Sequence, residues 1–222
     1  MKVYALVSIP LISCGLCLDA VAAPFVGFNA GLSLSGANNT LQVNNWTNNV
    51  FGAGNSGTLN GSAGNQFLAT VNGGYTFSLG EPFLLEAGAS IDLVKSKLLS
   101  DPNGAFLAPP YDDIKQHNHY AIYAKPGYLI TPNTEAYVKL AYHSMSVEDS
   151  NAIAAVTSQR YSGFGYGLGL RTVIADKWSA FVELEQIAYQ SRSDNAVNGG
   201  NAPTASVKPS STLGTVGVEY TF

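Results

Sequence analysis

Cysteine, charge and long apolar runs are all scarce in this chain of 222 residues. Both cysteines, Cys14 and Cys17, lie near the amino terminus, so the rest of the chain has no disulfides, thiolate metal sites or cysteine nucleophiles. Charged residues make up 12% of the chain, which is about half the usual share. After residue 30, no apolar run approaches the roughly 18 residues that a membrane-spanning helix needs. The net charge of −4 provides no basic stripe, which argues against a nucleic-acid partner.

Residues 1–22 have the pattern of a secretory signal peptide. Lys2 supplies a positive start, a mostly apolar stretch follows over 3–18, and Ala20-Val21-Ala22 offers small residues at a cleavage site. We expect cleavage after Ala22 and a mature chain over 23–222. The sequence Leu11-Ile12-Ser13-Cys14 loosely matches a lipoprotein box, so acylation of Cys14 stays open as an alternative. Export is expected in either case.

The mature chain alternates apolar and other residues with a period of two, which is typical of strands with one apolar face. The last strand shows the pattern well, since Val216, Val218 and Tyr220 share a face with Phe222. Eight strands are predicted, at 25–35, 66–78, 83–95, 117–130, 135–145, 163–174, 178–190 and 213–222.

Short and long connections alternate along the chain. Turns are predicted at 79–82, 131–134 and 175–177, where Gly, Pro, Asn and Asp supply turn chemistry. Long outer loops are predicted near 36–65, 98–116, 146–161 and 191–210. A barrel in the outer membrane has turns at one end and loops at the other, whereas a Greek-key sandwich has no reason to alternate in this way. The prediction is therefore an all-β fold, an eight-stranded antiparallel up-and-down transmembrane β-barrel over residues 23–222.

The same alternation places the charges of the strands inside the barrel. A Lys or Arg on the lipid face at mid-bilayer would cost about 2–4 kcal/mol, and an eight-stranded barrel is just wide enough to be filled by side chains. We therefore expect a structural network of ion pairs, with a narrow, weakly cation-preferring pore as the alternative. The predicted network consists of Glu86, Asp92, Lys125, Lys139, Arg171, Glu183, Glu185 and Glu219.

Several blocks of the sequence resemble the small outer-membrane β-barrel family of porin-like and opacity-type proteins, which shares the fold of the barrel of outer membrane protein A. The blocks are Ala20-Val-Ala22, Phe25-Val-Gly-Phe28, Lys125-Pro-Gly-Tyr128 before Thr131-Pro-Asn-Thr134, Gly163 to Leu170, and Tyr220-Thr-Phe222. The resemblance implies a place in the outer membrane of a Gram-negative bacterium, in contact with its lipid. It also implies that Tyr220 and Phe222 belong to a signal read by the outer-membrane insertion machinery.

Two other patterns have competing interpretations. Glycines at every second position from Gly163 to Gly169 line one face of a strand, which favours room for neighbouring side chains over a nucleotide-binding loop. His117 and His119 are predicted on the inward face, with His143 on the adjoining strand. Zinc could bind there with Asp112, Asp113 or Glu148. The favoured interpretation is a polar lining of the barrel mouth, with no metal and no cofactor.

Lipid A deacylases and acyltransferases share this fold, and such enzymes need a Ser–His–acid set at the lipid-facing rim. His143 and Ser144 are neighbours on a strand and point to opposite faces, which leaves His117, Ser146 and Glu148 as a candidate set. The expected role is non-enzymatic, namely envelope structure and surface interaction through the long loops with a host or surface ligand. A narrow passive pore and a lipid A-modifying enzyme are the alternatives.

Overall fold

Antiparallel β-strands make up nearly all of the described chain. The computed structural model describes residues 24–48, 55–99, 114–149, 159–195 and 204–222, so the predicted signal peptide lies outside the described residues. The strands are β1 (Gly27–Asn48), β2 (Asn55–Ser78), β3 (Phe83–Asp92), β4 (Ser96–Leu99), β5 (Ile114–Thr131), β6 (Thr134–Asp149), β7 (Gln159–Ala175), β8 (Trp178–Tyr189), β9 (Arg192–Asn195) and β10 (Thr204–Thr221). Within these ranges, no helix is long and apolar enough to cross a membrane.

The strands close into a barrel. Each long strand pairs antiparallel with the next along the chain, and β1 also pairs with β10. The backbone amide of Phe222 donates to the carbonyl of Phe28 at 2.9 Å, which completes the seam. The short strands β4 and β9 follow β3 and β8 and pair with β5 and β10 respectively, so the ten strands occupy eight positions around the barrel. The predicted eight-stranded up-and-down barrel is therefore confirmed, and closure leaves it without a sheet edge to expose to lipid.

The outward face is apolar over the middle of the strands and aromatic at both borders. Near the short turns, which we call the turn end, Phe83 packs edge-on against Tyr128, with ring centres 5.5 Å apart. Towards the long connections, which we call the outer end, Tyr142 and Phe164 pack in the same way at 5.5 Å. Aromatic rings favour the two lipid–water interfaces, so these pairs mark the borders of the membrane-facing band.

The strands extend further towards the outer end than predicted. β1 and β2 remain paired up to Asn48 and Asn55, so most of the predicted loop 36–65 is a hairpin. β5, β6, β7 and β10 likewise continue into the predicted loops 98–116, 146–161 and 191–210. The prediction was wrong there because beyond the apolar band the outward residues are polar, so the sequence alternation disappears while the pairing continues. Asn38 and Thr40 are exposed, whereas Ala37 and Asn39 are buried.

The strand predicted over 83–95 is shorter in the structure, and a second short strand follows it at the same position around the barrel. β3 ends at Asp92, and the amide of Leu93 donates to the carbonyl of Ala69 at 2.8 Å. β4 then pairs with β5, while Asn39, buried on β1, donates to the carbonyl of Lys97 at 2.8 Å. β4 is thus tied to β1 through a side chain inside the barrel mouth.

Candidate functional site: the charged barrel interior

Arg171 organises the interior at the turn end. Its Nη1 donates to Glu86 Oε2 at 2.8 Å and to Glu219 Oε2 at 2.9 Å. Its Nε and Nη2 donate to Glu135 Oε2 at 2.9 and 2.5 Å. The guanidinium carbon lies 4.7 Å from the ring centre of Phe25, which is buried just before β1 begins. One planar cation therefore holds three carboxylates together, and an aromatic ring covers it.

Lys125 lies one layer further in. Its Nζ is 3.4 Å from Glu86 Oε1 and 4.0 Å from Glu219 Oε1, so it shares two carboxylates with Arg171. Asn72 donates to the same Glu219 oxygen at 2.7 Å. Three aromatic rings surround the ammonium group within cation–π distance, those of Tyr123 at 4.6 Å, Tyr137 at 5.1 Å and Phe181 at 5.4 Å. The ammonium is thus compensated by both anions and ring faces.

Lys139 forms the middle of the interior with two carboxylates of β8. Its Nζ donates to Glu183 Oε1 and to Glu185 Oε2, both at 2.8 Å. The hydroxyl of Tyr137 donates to the second oxygen of Glu183 at 3.2 Å. All four side chains are buried, so both partners of each ion pair are withdrawn from solvent.

Two histidines extend this network towards the outer end. His143 Nε2 lies 2.9 Å from Glu185 Oε1, and His143 Nδ1 lies 3.0 Å from His119 Nε2. His119 Nδ1 in turn lies 2.6 Å from Asp92 Oδ2, and Thr70 donates to the other oxygen of Asp92 at 2.7 Å. A cavity of about 50 Å³ borders both histidines, Lys139 and Glu185.

Apolar side chains cover the network on its outer side. Met145 and Leu98 have no exposed surface, and Ile187 has 1%. Leu98 belongs to β4, so that short strand contributes a side chain to the interior at the barrel mouth. The full cluster consists of Ala37, Leu68, Leu98, Met145, Val147, Tyr161, Ile187, Tyr189 and Leu213. The described interior is therefore layered, with charged groups towards the turn end and this cluster, which we call the apolar cap, towards the outer end.

The sequence matches the outer membrane protein beta-barrel domain over residues 10–222. The chain belongs to this family. Its closed barrel, apolar outer band and charged interior agree with that membership, and the protein is placed in the outer membrane of a Gram-negative bacterium.

Several solved structures are similar to this chain at low sequence identity. AlkL, an outer membrane protein solved in lipid bilayers, is 12% identical with a TM-score of 0.52, covering 98% of this chain and 97% of that chain. Neisserial surface protein A is 14% identical with a TM-score of 0.46, covering 88% and 97%. Ail of Yersinia pestis is 12% identical with a TM-score of 0.44, covering 87% and 99%. A search among curated protein sequences finds no match.

All eight charged side chains that the sequence predicts inside the barrel lie on its inner side in the structure. Seven of them lie in the layers of Arg171, Lys125 and Lys139, while Asp92 pairs with His119. Sequence reasoning missed Glu135, which has no exposed surface. Glu135 shares the inward face of β6 with Tyr137 and Lys139, so strand alternation alone could have identified it. It was not assigned to the interior because it lies directly after the turn at 131–134.

The prediction that His117 shares a face with His119 is wrong. Asn118 has a φ of 50° and lies in a β-bulge, where the register shifts between His117 and Tyr120. The extra residue reverses the faces, since one more residue on a strand turns every following side chain over. His117 pairs with Ser146 and lies opposite in face to its neighbour Gln116, which is buried.

A zinc site of the predicted composition is not assembled by the described residues. His119 and His143 are together, but His117 is on the other face, and Asp112 and Asp113 lie outside the described residues. Throughout the part of the chain that the structure describes, no group of three or more His, Cys, Asp or Glu is arranged to hold a metal ion.

The alternating glycines of β7 make room for the charged network, as predicted. A Cβ on Gly165 would lie 2.5 Å from Glu185 Oε1 and 2.6 Å from His143 Nε2, and one on Gly169 would overlap the ring of Tyr137. Side chains of β6 and β8 therefore fill the space that β7 leaves free.

Proposed function

We propose that this outer-membrane barrel is a non-conducting, non-enzymatic envelope protein that carries its long strand ends outside the membrane for interaction with a surface ligand. The observation that carries the proposal is the filled interior. Arg171, Lys125 and Lys139 are each held by two or more carboxylates. Separating such buried partners is strongly unfavourable, because each would be left as an uncompensated charge.

The size of the remaining space also supports a closed barrel. The cavity beside the histidines measures about 50 Å³, which is room for a few water molecules. On its outer side lies the apolar cap, whose Met145 and Leu98 are fully buried. An ion crossing the barrel would have to displace both the charged layers and this cap.

The surface role rests on the strands that continue past the apolar band. On β1, the outward residues change from Leu32 and Leu34 to Asn38 and Thr40, although the pairing with β2 continues to Asn48. Each further residue adds about 3.3 Å of strand. A paired hairpin of this length extends beyond the lipid border, and its exposed polar side chains, such as Asn38 and Thr40, are available to a partner.

Ion flux through reconstituted vesicles tests the closed barrel. We expect the refolded wild-type protein to leak small ions no faster than protein-free vesicles. A general porin in the same vesicles serves as the positive control, and unfolded protein as the matched negative one. Ion leakage through vesicles with the folded wild type that clearly exceeds the leakage of protein-free vesicles would overturn the proposal in favour of a narrow pore.

One observation favours a lipid A-modifying enzyme as the second candidate. The register places His117 directly opposite Ser146, and Arg160 of β7 is the next neighbour of Ser146 across the sheet. If this pair acted on an acyl ester, complementing a deletion strain with the wild-type gene would change the mass spectrum of its lipid A. Complementation with the Ser146→Ala variant would leave the spectrum as it is in the deletion strain. We expect identical lipid A species in the deletion, wild-type and Ser146→Ala strains.

A further inference from the structure

Four buried side chains from four strands form a continuous row across the outer part of the interior. Asp92 of β3 contacts His119 of β5 at 2.6 Å, His119 contacts His143 of β6 at 3.0 Å, and His143 contacts Glu185 of β8 at 2.9 Å. The two imidazole planes are inclined by 11°. Each of the four ring nitrogens is therefore used within the row, two towards carboxylates and two towards each other.

Counting hydrogens shows that two neutral rings cannot satisfy the row. A neutral imidazole carries one N–H, and an ionised carboxylate only accepts. Three contacts need three hydrogens, but two neutral rings supply two. One contact would then bring two lone pairs together. If Asp92 and Glu185 each receive an N–H, that contact is the 3.0 Å approach of His119 Nε2 to His143 Nδ1.

The neighbouring groups do not supply the missing hydrogen. The hydroxyl of Tyr189 lies 3.3 Å from His119 Nε2 and can donate to that nitrogen, but His143 Nδ1 would still be without a partner. Lys139 donates to the other oxygen of Glu185, and Thr70 donates to the other oxygen of Asp92. The titratable groups that face the rings and their cavity are Asp92 on β3, Tyr123 and Lys125 on β5, Lys139 on β6, and Glu183, Glu185 and Tyr189 on β8.

The charge balance of the interior favours an additional positive charge. Six carboxylates lie inside the described barrel, those of Glu86, Asp92, Glu135, Glu183, Glu185 and Glu219. Lys125, Lys139 and Arg171 are the permanent cations that face them. Carboxylates in excess attract a further cation, and the pair of imidazoles held between Asp92 and Glu185 is the group able to carry it.

We infer that Asp92, His119, His143 and Glu185 form a buried proton-binding site, in which the two rings share one proton beyond those of two neutral imidazoles. The bound proton completes the His119–His143 hydrogen bond and so links β3, β5, β6 and β8. The cavity of about 50 Å³ borders all four side chains, and its volume is sufficient for a few water molecules that can exchange a proton with the rings. When the proton leaves at high pH, the central contact becomes repulsive and the four strands lose their link.

Nitrogen-15 NMR of the folded protein, with labelled histidine, tests the site directly. At pH 7 we expect one imidazolium for the two rings together. When the pH is raised, a single proton should be lost, and the nitrogen resonances of both rings should shift together. The His117→Gln variant identifies the resonance of the third histidine and should leave the other two unchanged. Two neutral rings in the wild-type protein at pH 7 would overturn the inference.

Thermal unfolding of variants gives an independent readout. Glutamine at position 185 can donate an N–H to His143, so Glu185→Gln removes the need for the extra proton. As the pH is raised through the titration seen by NMR, the unfolding equilibrium constant of the wild type should rise about tenfold, because the folded protein loses its bound proton. The Glu185→Gln variant should show at most a twofold rise over the same range. An equal rise in both proteins would contradict the assignment, and if the variant fails to fold, the wild-type NMR result decides alone.

Discussion

At the turn end of the barrel, a single guanidinium contacts Glu86, Glu135 and Glu219, and Phe25 covers it. The planar fork of an arginine suits this task because it can donate in several directions at fixed geometry. A lysine at the same position would present one point of charge, and it could not reach all three carboxylates with comparable hydrogen bonds. The arrangement makes Arg171 the residue on which the lower layer depends.

We expect Arg171→Ala to destabilise the folded barrel by about 3–5 kcal/mol, since three carboxylates would lose their main partner. The stability of the Arg171→Lys variant should lie between that of Arg171→Ala and that of the wild type. The measurement is the temperature at which the folded band disappears on gels after heating. Lys177→Ala provides the matched control, because Lys177 is exposed in a turn. Equal melting of Arg171→Ala and the wild type would show that the network contributes no stability.

Individual interior residues were predictable where alternation runs without interruption. Glu86 follows from parity alone, because β3 pairs with β2 and β5 without a register shift. Arg171 follows as well, because the register shift of β7 against β8 comes after it, between Val173 and Ala175. His117 was misplaced because the bulge at Asn118 leaves no mark in hydropathy. The histidine–carboxylate row was missed for a different reason, since contacts among four strands depend on register as well as on which face a residue occupies.

Among the strands, β4 differs from its neighbours because it is tied from inside the barrel. Asn39 donates to the carbonyl of Lys97 at 2.8 Å and accepts from the hydroxyl of Ser211 at 2.7 Å. Leu98 at the same time contributes to the apolar cap. One amide thus joins β1, β4 and β10 across the mouth, while backbone pairing holds β4 on the side of β5.

We expect Asn39→Ala to loosen β4 without unfolding the barrel. Loss of a buried amide leaves its partners unsatisfied, at a cost of about 1–3 kcal/mol. Hydrogen exchange of the amides over 96–99 should accelerate by at least tenfold. The neighbouring Asn38→Ala is the matched control, because Asn38 is exposed on the outward face. The same exchange rates in both variants would mean that β4 is held by its pairing with β5 alone.

The elements were predictable to the extent that the bilayer imposes a pattern on them. Within the apolar band, lipid on one side and a charged interior on the other produce clear alternation, and the three short turns follow from their Gly, Pro, Asn and Asp residues. Beyond the band, the outward side chains are polar, and the interior mixes apolar residues such as Ala37 with polar ones such as Asn39. The alternation with apolar residues on the outward face therefore ends, and the continuation of β1 beyond 35 and the start of β2 at Asn55 were not predicted. The break at 93–95 separates β3 from β4, and the hydrogen bond that β4 accepts from Asn39 is a tertiary contact that strand alternation does not indicate.

For the molecule as a whole, the outward side chains define where the membrane lies. On β8, Trp178 packs against Tyr220 at the turn-end border, with ring centres 5.2 Å apart. At the other border, Ala188 pairs with Phe164, which packs against Tyr142 at the outer end. Leu184 lies between them and is 69% exposed on the outward face. This strand therefore crosses the apolar band between Trp178 and Ala188, with Leu184 near its centre.

The position of the band predicts how an added charge is tolerated along β8. Arginine at position 184 would lie near the bilayer midplane, where the cost is about 2–4 kcal/mol, whereas arginine at position 188 would lie near the border, at about 0–1 kcal/mol. Urea titration of Leu184→Arg and Ala188→Arg in lipid vesicles measures both free energies of unfolding on one strand with the same substituent. Because the interior is unaffected by outward substitutions, the difference reports depth alone. A larger cost at position 188 would place the membrane nearer the outer end and would contradict the borders drawn from the aromatic pairs.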